Sequence, residues 1–419
     1  MNRGRKEIWI IAGEASGDLY GARIASEIRR RRPDVVVCGM GGVEMRKAGV
    51  ELLVDSCELG VIGLIEVLEN IFKFIRIFLY LIREAKKRRP LEVILIDYPG
   101  FNIRFAKAMW KAGIPVVWYI SPQVWAWRRG NIRKLARYCR KLMVIFPFEP
   151  EVYEGSGLDV EFVGHPLVDI VKGRADATIE RDPNTILLLP GSRKKEIEYL
   201  LEPFLKTAAI LKSRNPKLQF VVESPRERIL QMVRDGIQTF MTKHPDYPLP
   251  KIELTRGKTA FWMQRCTAGL AASGTVTVEC AIAGIPLVVA YRLNQITFLL
   301  ARLIIGRLFR GFFTMPNIIL NRCAFEEFLQ FQVVPEDLAD AMERILPGGS
   351  RRAQAEQDMN DVVVQLSGGA LRDSCGKIIL PSGVETRSSA GRCIKQKRPP
   401  PFCDGGRRFC FSENPIRNQ

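Results

Sequence analysis

Glu7-Ile8-Trp9-Ile10-Ile11-Ala12-Gly13-Glu14-Ala15-Ser16-Gly17-Asp18 joins a short apolar run to a Gly-containing turn, and a helical pattern begins at Leu19. The run does not alternate between apolar and polar residues. It reads as a strand buried on both faces, as in parallel sheets covered by helices. The same unit recurs, with apolar runs at 34–38, 91–96, 115–120, 141–146 and 160–163, then at 185–189, 218–222, 267–271 and 285–290. Each closes on a Gly- or Pro-containing turn before a longer helical pattern. Two successive sets predict an α/β chain of two doubly wound parallel-sheet domains, 1–170 and 171–380. The break falls where Gly164-His165-Pro166 leads into a polar stretch at 172–184.

Composition bounds what such a fold can do. The 419 residues carry 63 Lys and Arg against 45 Asp and Glu, a net charge of +18, with two His. A hydrophobic share of 47% with 26% charged residues excludes a wholly disordered chain and a multi-span membrane protein. The positive excess favours anionic partners (nucleic acid, phosphorylated metabolites or acidic lipid) without choosing among them. His165 and His244 are too few for a histidine-built zinc site, and no metal or other cofactor is expected. Cys38, Cys57, Cys139, Cys266, Cys280 and Cys323 are scattered singly, like small buried hydrophobes in a reducing compartment. The start, Met1-Asn2-Arg3-Gly4-Arg5-Lys6, is basic, but the apolar run after it is too short for a signal peptide, so a cytoplasmic protein is expected. Residues 381–419 carry a net +5 and little apolar periodicity, which predicts a disordered basic tail.

Two segments break the strand–helix rhythm. In 61–83 the charges at Glu66, Glu69, Lys73, Arg76 and Arg83 fall at steps of three and four, with Tyr80 filling the gap. That leaves a narrow polar stripe beside a very wide apolar face, with too many charges for a spanning helix. The second segment, 296–313, is apolar but carries Arg302, Arg307 and Arg310. Each alone fits a core helix. Together, on a strongly basic chain, they fit a surface meeting lipid and anionic headgroups, with Ile77, Phe78 and Leu79 as the expected acyl contacts.

The turn at 13–18 brings small residues to a helix start, where backbone amides can receive an anion. Its spacing is not GxGxxG, which excludes a dinucleotide reading there; Gly39-Met40-Gly41-Gly42 is a weak imitation after the second strand. Ser16 and Asp18 would serve equally as helix caps. Asp97 ends a strand and precedes Tyr98-Pro99-Gly100-Phe101-Asn102. A carboxylate there sits where open α/β sheets bind ligands and can act as a general base toward a hydroxyl, although an Asp capping a turn looks the same. In the second half Leu189-Pro190-Gly191-Ser192-Arg193 offers free amides and a guanidinium, an arrangement suited to a diphosphate. Ala272-Ser273-Gly274-Thr275 opens another helix, and Glu279 lies about a turn further on, placed to accept ribose hydroxyls. Two phosphate-type turns without a Walker lysine favour a nucleotide sugar over ATP.

These motifs stand in order with Ser121-Pro122-Gln123-Val124-Trp125-Ala126-Trp127-Arg128, Val163-Gly164-His165-Pro166-Leu167, Met315-Pro316-Asn317 and Gly368-Gly369-Ala370. Over residues 6–380 the set resembles the lipid-A-disaccharide synthase family. The resemblance implies a GT-B architecture, two Rossmann-like domains facing across a cleft, and an inverting, metal-independent glycosyltransferase. It implies UDP-2,3-diacylglucosamine as donor and 2,3-diacylglucosamine 1-phosphate (lipid X) as acceptor. The products would be UDP and a β-1′,6-linked tetraacyl disaccharide 1-phosphate.

By the same resemblance Asp97 would deprotonate the acceptor 6-hydroxyl, with Glu14 as the rival base. Gly191, Ser192 and Arg193, with Ser273, Gly274 and Thr275, would hold the UDP diphosphate, and Glu279 the ribose. Asn317 would orient donor or acceptor. Ser16, Gln123 and His165 complete the expected substrate contacts, while Trp125 and Trp127 fit a cleft lining or a core. Three other readings compete: a different GT-B enzyme of UDP-sugars, epimerases included; a non-catalytic binder of anionic lipid; and a nucleic-acid binder. The last rests on the charge and on Arg29-Arg30-Arg31-Arg32, but a basic cluster ending a helix is ordinary. The expected partner surface is therefore an anionic membrane, met peripherally, and not nucleic acid.

Overall fold

Each of the ten apolar runs becomes a parallel strand. The computed structural model describes residues 5–56, 64–125, 129–294 and 311–368, apart from the side chains of 64–71. Of these, 5–166 and 366–368 form one compact unit and Leu167–Gln365 a second.

The first unit contains β1 (Lys6–Ala12), α1 (Ala15–Arg31), β2 (Val35–Gly41), α2 (Val43–Lys47), β3 (Glu51–Asp55), α3 (Leu64–Arg88) and β4 (Glu92–Ile96). It continues through α4 (Pro99–Lys111), β5 (Val116–Tyr119), α5 (Asn131–Tyr138), β6 (Lys141–Val144), α6 (Glu149–Val152) and β7 (Asp159–Phe162). Its seven strands are ordered β3-β2-β1-β4-β5-β6-β7. The second unit runs from α7 (Pro166–Lys172) through β8 (Asp182–Leu189), α8 (Lys194–Arg214), β9 (Gln219–Ser224), α9 (Glu227–Lys243), β10 (Ile252–Arg256) and α10 (Thr259–Arg265). There follow β11 (Cys266–Ala272), α11 (Val276–Ile282), β12 (Leu287–Tyr291), α12 (Met315–Leu320), β13 (Glu326–Leu329), α13 (Pro335–Ile345) and α14 (Arg352–Leu366). Its six strands are ordered β10-β9-β8-β11-β12-β13.

In each sheet the strand order reverses once, between β1 and β4 and between β8 and β11. Register aligns the carboxyl ends there: Ala12 lies opposite Ile96, and Leu189 opposite Ala271. Loops leaving such a pair diverge to opposite faces and open the crevice where doubly wound sheets bind ligands. The strands hold this frame because both faces are covered. Trp9, Ile10, Ile11 and Ala12 are fully buried, each large side chain contributing about 1.5–3 kcal/mol. Trp9, Trp118, Phe105 and Leu81 pack in the core beneath α3, α4 and α5.

Asp18 is a cap, but not of its own helix. Its carboxylate accepts the amides of Gly42 (2.7 Å), Glu44 (2.9 Å) and Met45 (3.0 Å), closing the start of α2. The glycine turn before α2 is thereby filled by the chain itself. The arginine run ending α1 is likewise engaged locally: Arg30 and Arg31 bind Glu27, Arg32 binds Asp34, and Arg29 donates to the Ala48 carbonyl.

Helix α3 is amphipathic, but its outward residues differ from those expected. Phe78 points inward, edge-on to Phe101 (5.2 Å) and Phe105 (6.1 Å), and Ile77 packs against the same core. Leu79 is exposed together with Phe72 and Ile75, one stripe at helical spacing. No helix among the described residues is long and apolar enough to cross a membrane. Of the second apolar segment only 311–313 are described, and the 381–419 tail lies outside the described residues.

Candidate functional site

Strain marks the first unit's crevice. Asp97 (φ 44°), Tyr98 (φ 48°) and Ile120 (φ 66°) are left-handed without being glycine, at the ends of β4 and β5. Such conformations persist only where the surroundings impose them. Here the Asp97 amide donates to the Tyr119 carbonyl (3.1 Å) and the Ile120 amide to the Met143 carbonyl (3.0 Å). Asn102, buried in α4, donates through Nδ2 to the carbonyls of Asp97 (2.8 Å) and Ile96 (3.2 Å), clamping the turn from below. On the other side of the crevice Gly13 lies so close to Tyr98 that a Cβ would stand 2.4 Å from the ring. The loops after β1 and β4 are thus one surface, and glycine is required for their approach.

On that surface Asp97 is half-buried and Glu14, the N-cap of α1, is exposed. Burial, reinforced by the Glu14 charge and opposed by the Tyr98 amide, pushes the Asp97 carboxyl up to about 6. Among the described residues no side chain donates to it. A carboxylate ionised near neutrality and basic for its type suits general-base work. Ser16 and Gln123 are exposed at the same end of the sheet. Trp125 stands edge-on to Phe148 at 5.3 Å, and Trp127 lies outside the described residues.

A second carboxyl, absent from the sequence reading, sits behind the first. Glu149 starts α6, is 2% exposed, and accepts the amides of Phe146 (3.0 Å) and Ile145 (3.2 Å), while the Ser121 hydroxyl donates to the Pro122 carbonyl (2.8 Å). Ser121 also meets the Tyr153 hydroxyl at 2.5 Å. Burial raises Glu149 to about 7, with the Asp97 charge adding to the rise. The signal available in the sequence was the one used for Asp97: an acid directly after an apolar run, here Phe146-Pro147-Phe148-Glu149. His165 is buried beside Phe146 (5.3 Å), its amide on the Leu366 carbonyl (2.9 Å), and burial lowers its imidazole to about 3. Its imidazole is neutral here.

The second crevice holds the two turns singled out for a diphosphate, with one correction. The amides of Ser192 and Arg193 are not free: Glu196 accepts both (2.8 and 3.2 Å) and also binds the Arg193 guanidinium at 2.8 Å. A carboxylate three residues into α8 reaches back in a capping box and occupies the anion position itself. Gly191 (φ 129°) permits this, since a Cβ would meet Glu196 at 2.4 Å. The Arg193 side chain is 79% exposed and can swing out. Beside it Ser273 continues the β11 ladder to the Ala290 carbonyl, while Gly274 and Thr275 are exposed. Burial raises the Glu279 carboxyl, the Arg174 charge opposing and the Glu223 charge assisting.

Asn317 is also placed otherwise than expected. It is fully buried, its Oδ1 accepting the amides of Ala324 and Phe325 (both 2.8 Å). Its Nδ2 donates to the Phe325 carbonyl (2.7 Å) and to Glu327 (2.8 Å). All four hydrogen-bonding positions are used, so the carboxamide holds a loop and has none left for a sugar. Glu327, which the sequence reading missed, ties the segment before α12 to the same point by accepting Phe313, Thr314 and Asn317. Among the described residues no group of His, Cys, Asp or Glu could hold a metal ion.

A family model described as lipid-A-disaccharide synthetase matches residues 8–377. A lipid-A-disaccharide synthase of Trichlorobacter lovleyi is 36% identical over 371 residues, covering 87% of this chain and 94% of the relative. One from Coxiella burnetii is 33% identical over 382 residues, covering 89% and 98%. Among solved structures, a UDP-GlcNAc 2-epimerase from Neisseria meningitidis, bound to UDP-GlcNAc, is similar with a TM-score of 0.61. At 11% identity, over 89% of this chain and 99% of that one, the likeness is one of fold.

Proposed function

The chain belongs to the lipid-A-disaccharide synthetase family, and from that premise we propose that it transfers 2,3-diacylglucosamine from UDP to the 6-hydroxyl of lipid X. Asp97 takes the hydroxyl proton, the oxygen attacks the anomeric carbon from the face opposite UDP, and UDP leaves with the bonding electrons. Arg193 and the Ser273–Gly274–Thr275 turn offset the charge that grows on the leaving diphosphate, and Glu279 binds ribose. Ser16 and Gln123 contact the acceptor. Glu14 acts on Asp97 through its charge. Asn317 works at one remove, holding the loop between α12 and β13.

One observation carries this reading: a carboxyl with no side-chain partner among the described residues, raised to about 6, at the first unit's strand-order reversal. Phe72, Ile75 and Leu79 on α3 supply an exposed apolar stripe for acyl chains, which supports work at a membrane surface. The test is UDP release from UDP-2,3-diacylglucosamine by the purified chain, with and without lipid X. Release that requires lipid X is expected. A folded chain that binds UDP but shows no acceptor-dependent release would refute the assignment.

A further inference from the structure

From Tyr98 to Phe148 the chain contains no Asp or Glu and ten Lys or Arg. This stretch supplies α4 and α5, which lie beside α3 on one face of the sheet. Phe78 of α3 meets Phe101 and Phe105 of α4, and Trp110 of α4 meets Tyr138 of α5 at 5.7 Å. The outer surface of the two helices presents Arg104, Lys107, Lys111, Arg133, Lys134 and Arg137, all exposed. Among the described residues none of the six forms an ion pair. Their contacts are local and uncharged: Arg104 donates to the Gly100 carbonyl, Lys134 to Asn131, and Arg137 lies over the Trp110 ring at 4.7 Å. The two cations that close the stretch behave differently, Arg140 pairing with Glu92 (2.6 Å) and Lys141 with Glu161 (2.8 Å).

Like charges gathered on adjacent helices repel one another unless an anionic surface neutralises them. The helix packed against α4, α3, carries the exposed Phe72, Ile75 and Leu79 stripe, and Trp110, 42% exposed, lies under the Arg137 guanidinium. An apolar stripe flanked by cations and an amphipathic aromatic is complementary to a bilayer interface. A nucleic-acid backbone would leave the stripe unused. We propose that the outer face of α4 and α5 binds the phosphates of an anionic bilayer, orienting the first unit on the membrane beside the apolar contact of α3. This rests on the reading of α3 as a lipid-contacting helix, and its test is separable from that of the transferase.

The full chain is floated with phosphatidylcholine vesicles, with or without phosphatidylglycerol, at low and at physiological salt. One variant combines Lys107→Gln, Lys111→Gln, Arg133→Gln and Lys134→Gln; another combines Phe72→Ser, Ile75→Ser and Leu79→Ser. Each cation near an anionic surface is worth roughly a fivefold gain in partition. The basic-face variant should therefore lose more than about tenfold of its phosphatidylglycerol-dependent binding, with the loss greatest at low salt. UDP release with detergent-dispersed lipid X should be unchanged in it, which also shows that it folds. The apolar variant should lose the salt-resistant part. Binding of the basic-face variant within about twofold of the unaltered chain would overturn the proposal. So would equal binding to neutral vesicles, or displacement by duplex DNA at matched phosphate concentration. Failure of UDP release alone, with vesicle binding as described, would sink the transferase reading and leave the surface standing.

Discussion

Replacing Asp97 with Asn should make the protein more stable and nearly inactive, and both effects have the same cause. The substitution is clean, because Asn adopts the left-handed backbone that Asp97 occupies as readily as Asp does. Burial favours the protonated acid and lifts Asp97 from its ordinary 3.8 to about 6. That advantage is present in full below 3.8 and is lost as pH rises through about 6, so the folded chain bears an unfavourable ionised carboxyl above it. At ~1.4 kcal/mol per pH unit the ceiling is ~3 kcal/mol, and a half-buried group with access to water keeps roughly 1–2. Thermal melts should show Asp97→Asn raised by roughly 2–6 °C near pH 8 and scarcely at all near pH 4. In the unaltered chain kcat/KM should fall about tenfold between pH 7 and pH 5 as the base protonates, and the variant should lose about 10²–10⁴ at neutral pH. A variant no more stable at high pH would show that burial is not what raises this carboxyl. Retained activity would remove Asp97 as the base.

Glu14→Gln decides between the two candidate bases: removing the charge that helps raise Asp97 should move the acid limb of kcat/KM to lower pH with activity near neutrality kept, whereas collapse at every pH would make Glu14 the base. Glu196→Gln should lower the UDP dissociation constant by roughly fivefold, since the carboxylate occupies the anion position of the turn; calorimetry showing unchanged or weaker binding would exclude a diphosphate from that turn. Asn317→Ala should cost about 2–4 kcal/mol in denaturant unfolding, because it strips partners from two buried amides and from Glu327. A loss of turnover with full stability would instead mean that the carboxamide meets substrate.

What could be read in advance follows from where each residue's partner lies. Central strands were legible because burial on both faces leaves non-alternating apolar runs. The three strands that were missed, β3, β10 and β13, all lie at sheet edges. They are half-exposed, so Glu51, Glu253, Glu326 and Glu327 interrupt their pattern. Asp97 and the turns at Gly13, Gly191 and Ser273 were legible because the strand end that positions each one is its own neighbour in sequence. Asp18 shows the limit: its residue type announced a cap, but the amides it caps belong to Gly42, Glu44 and Met45, brought to it by the pairing of β1 with β2. Asn317 shows the same limit more sharply, since only the fold reveals that its carboxamide is already saturated. Glu149 lies beyond both cases. It reaches the Asp97 neighbourhood because β4, β5 and β6 happen to be consecutive in the sheet, and no spacing in the chain encodes that adjacency. The groups that do chemistry sit beside the strands that carry them, whereas the charges that tune them arrive from other strands. A sequence therefore discloses where a base stands sooner than how basic it is.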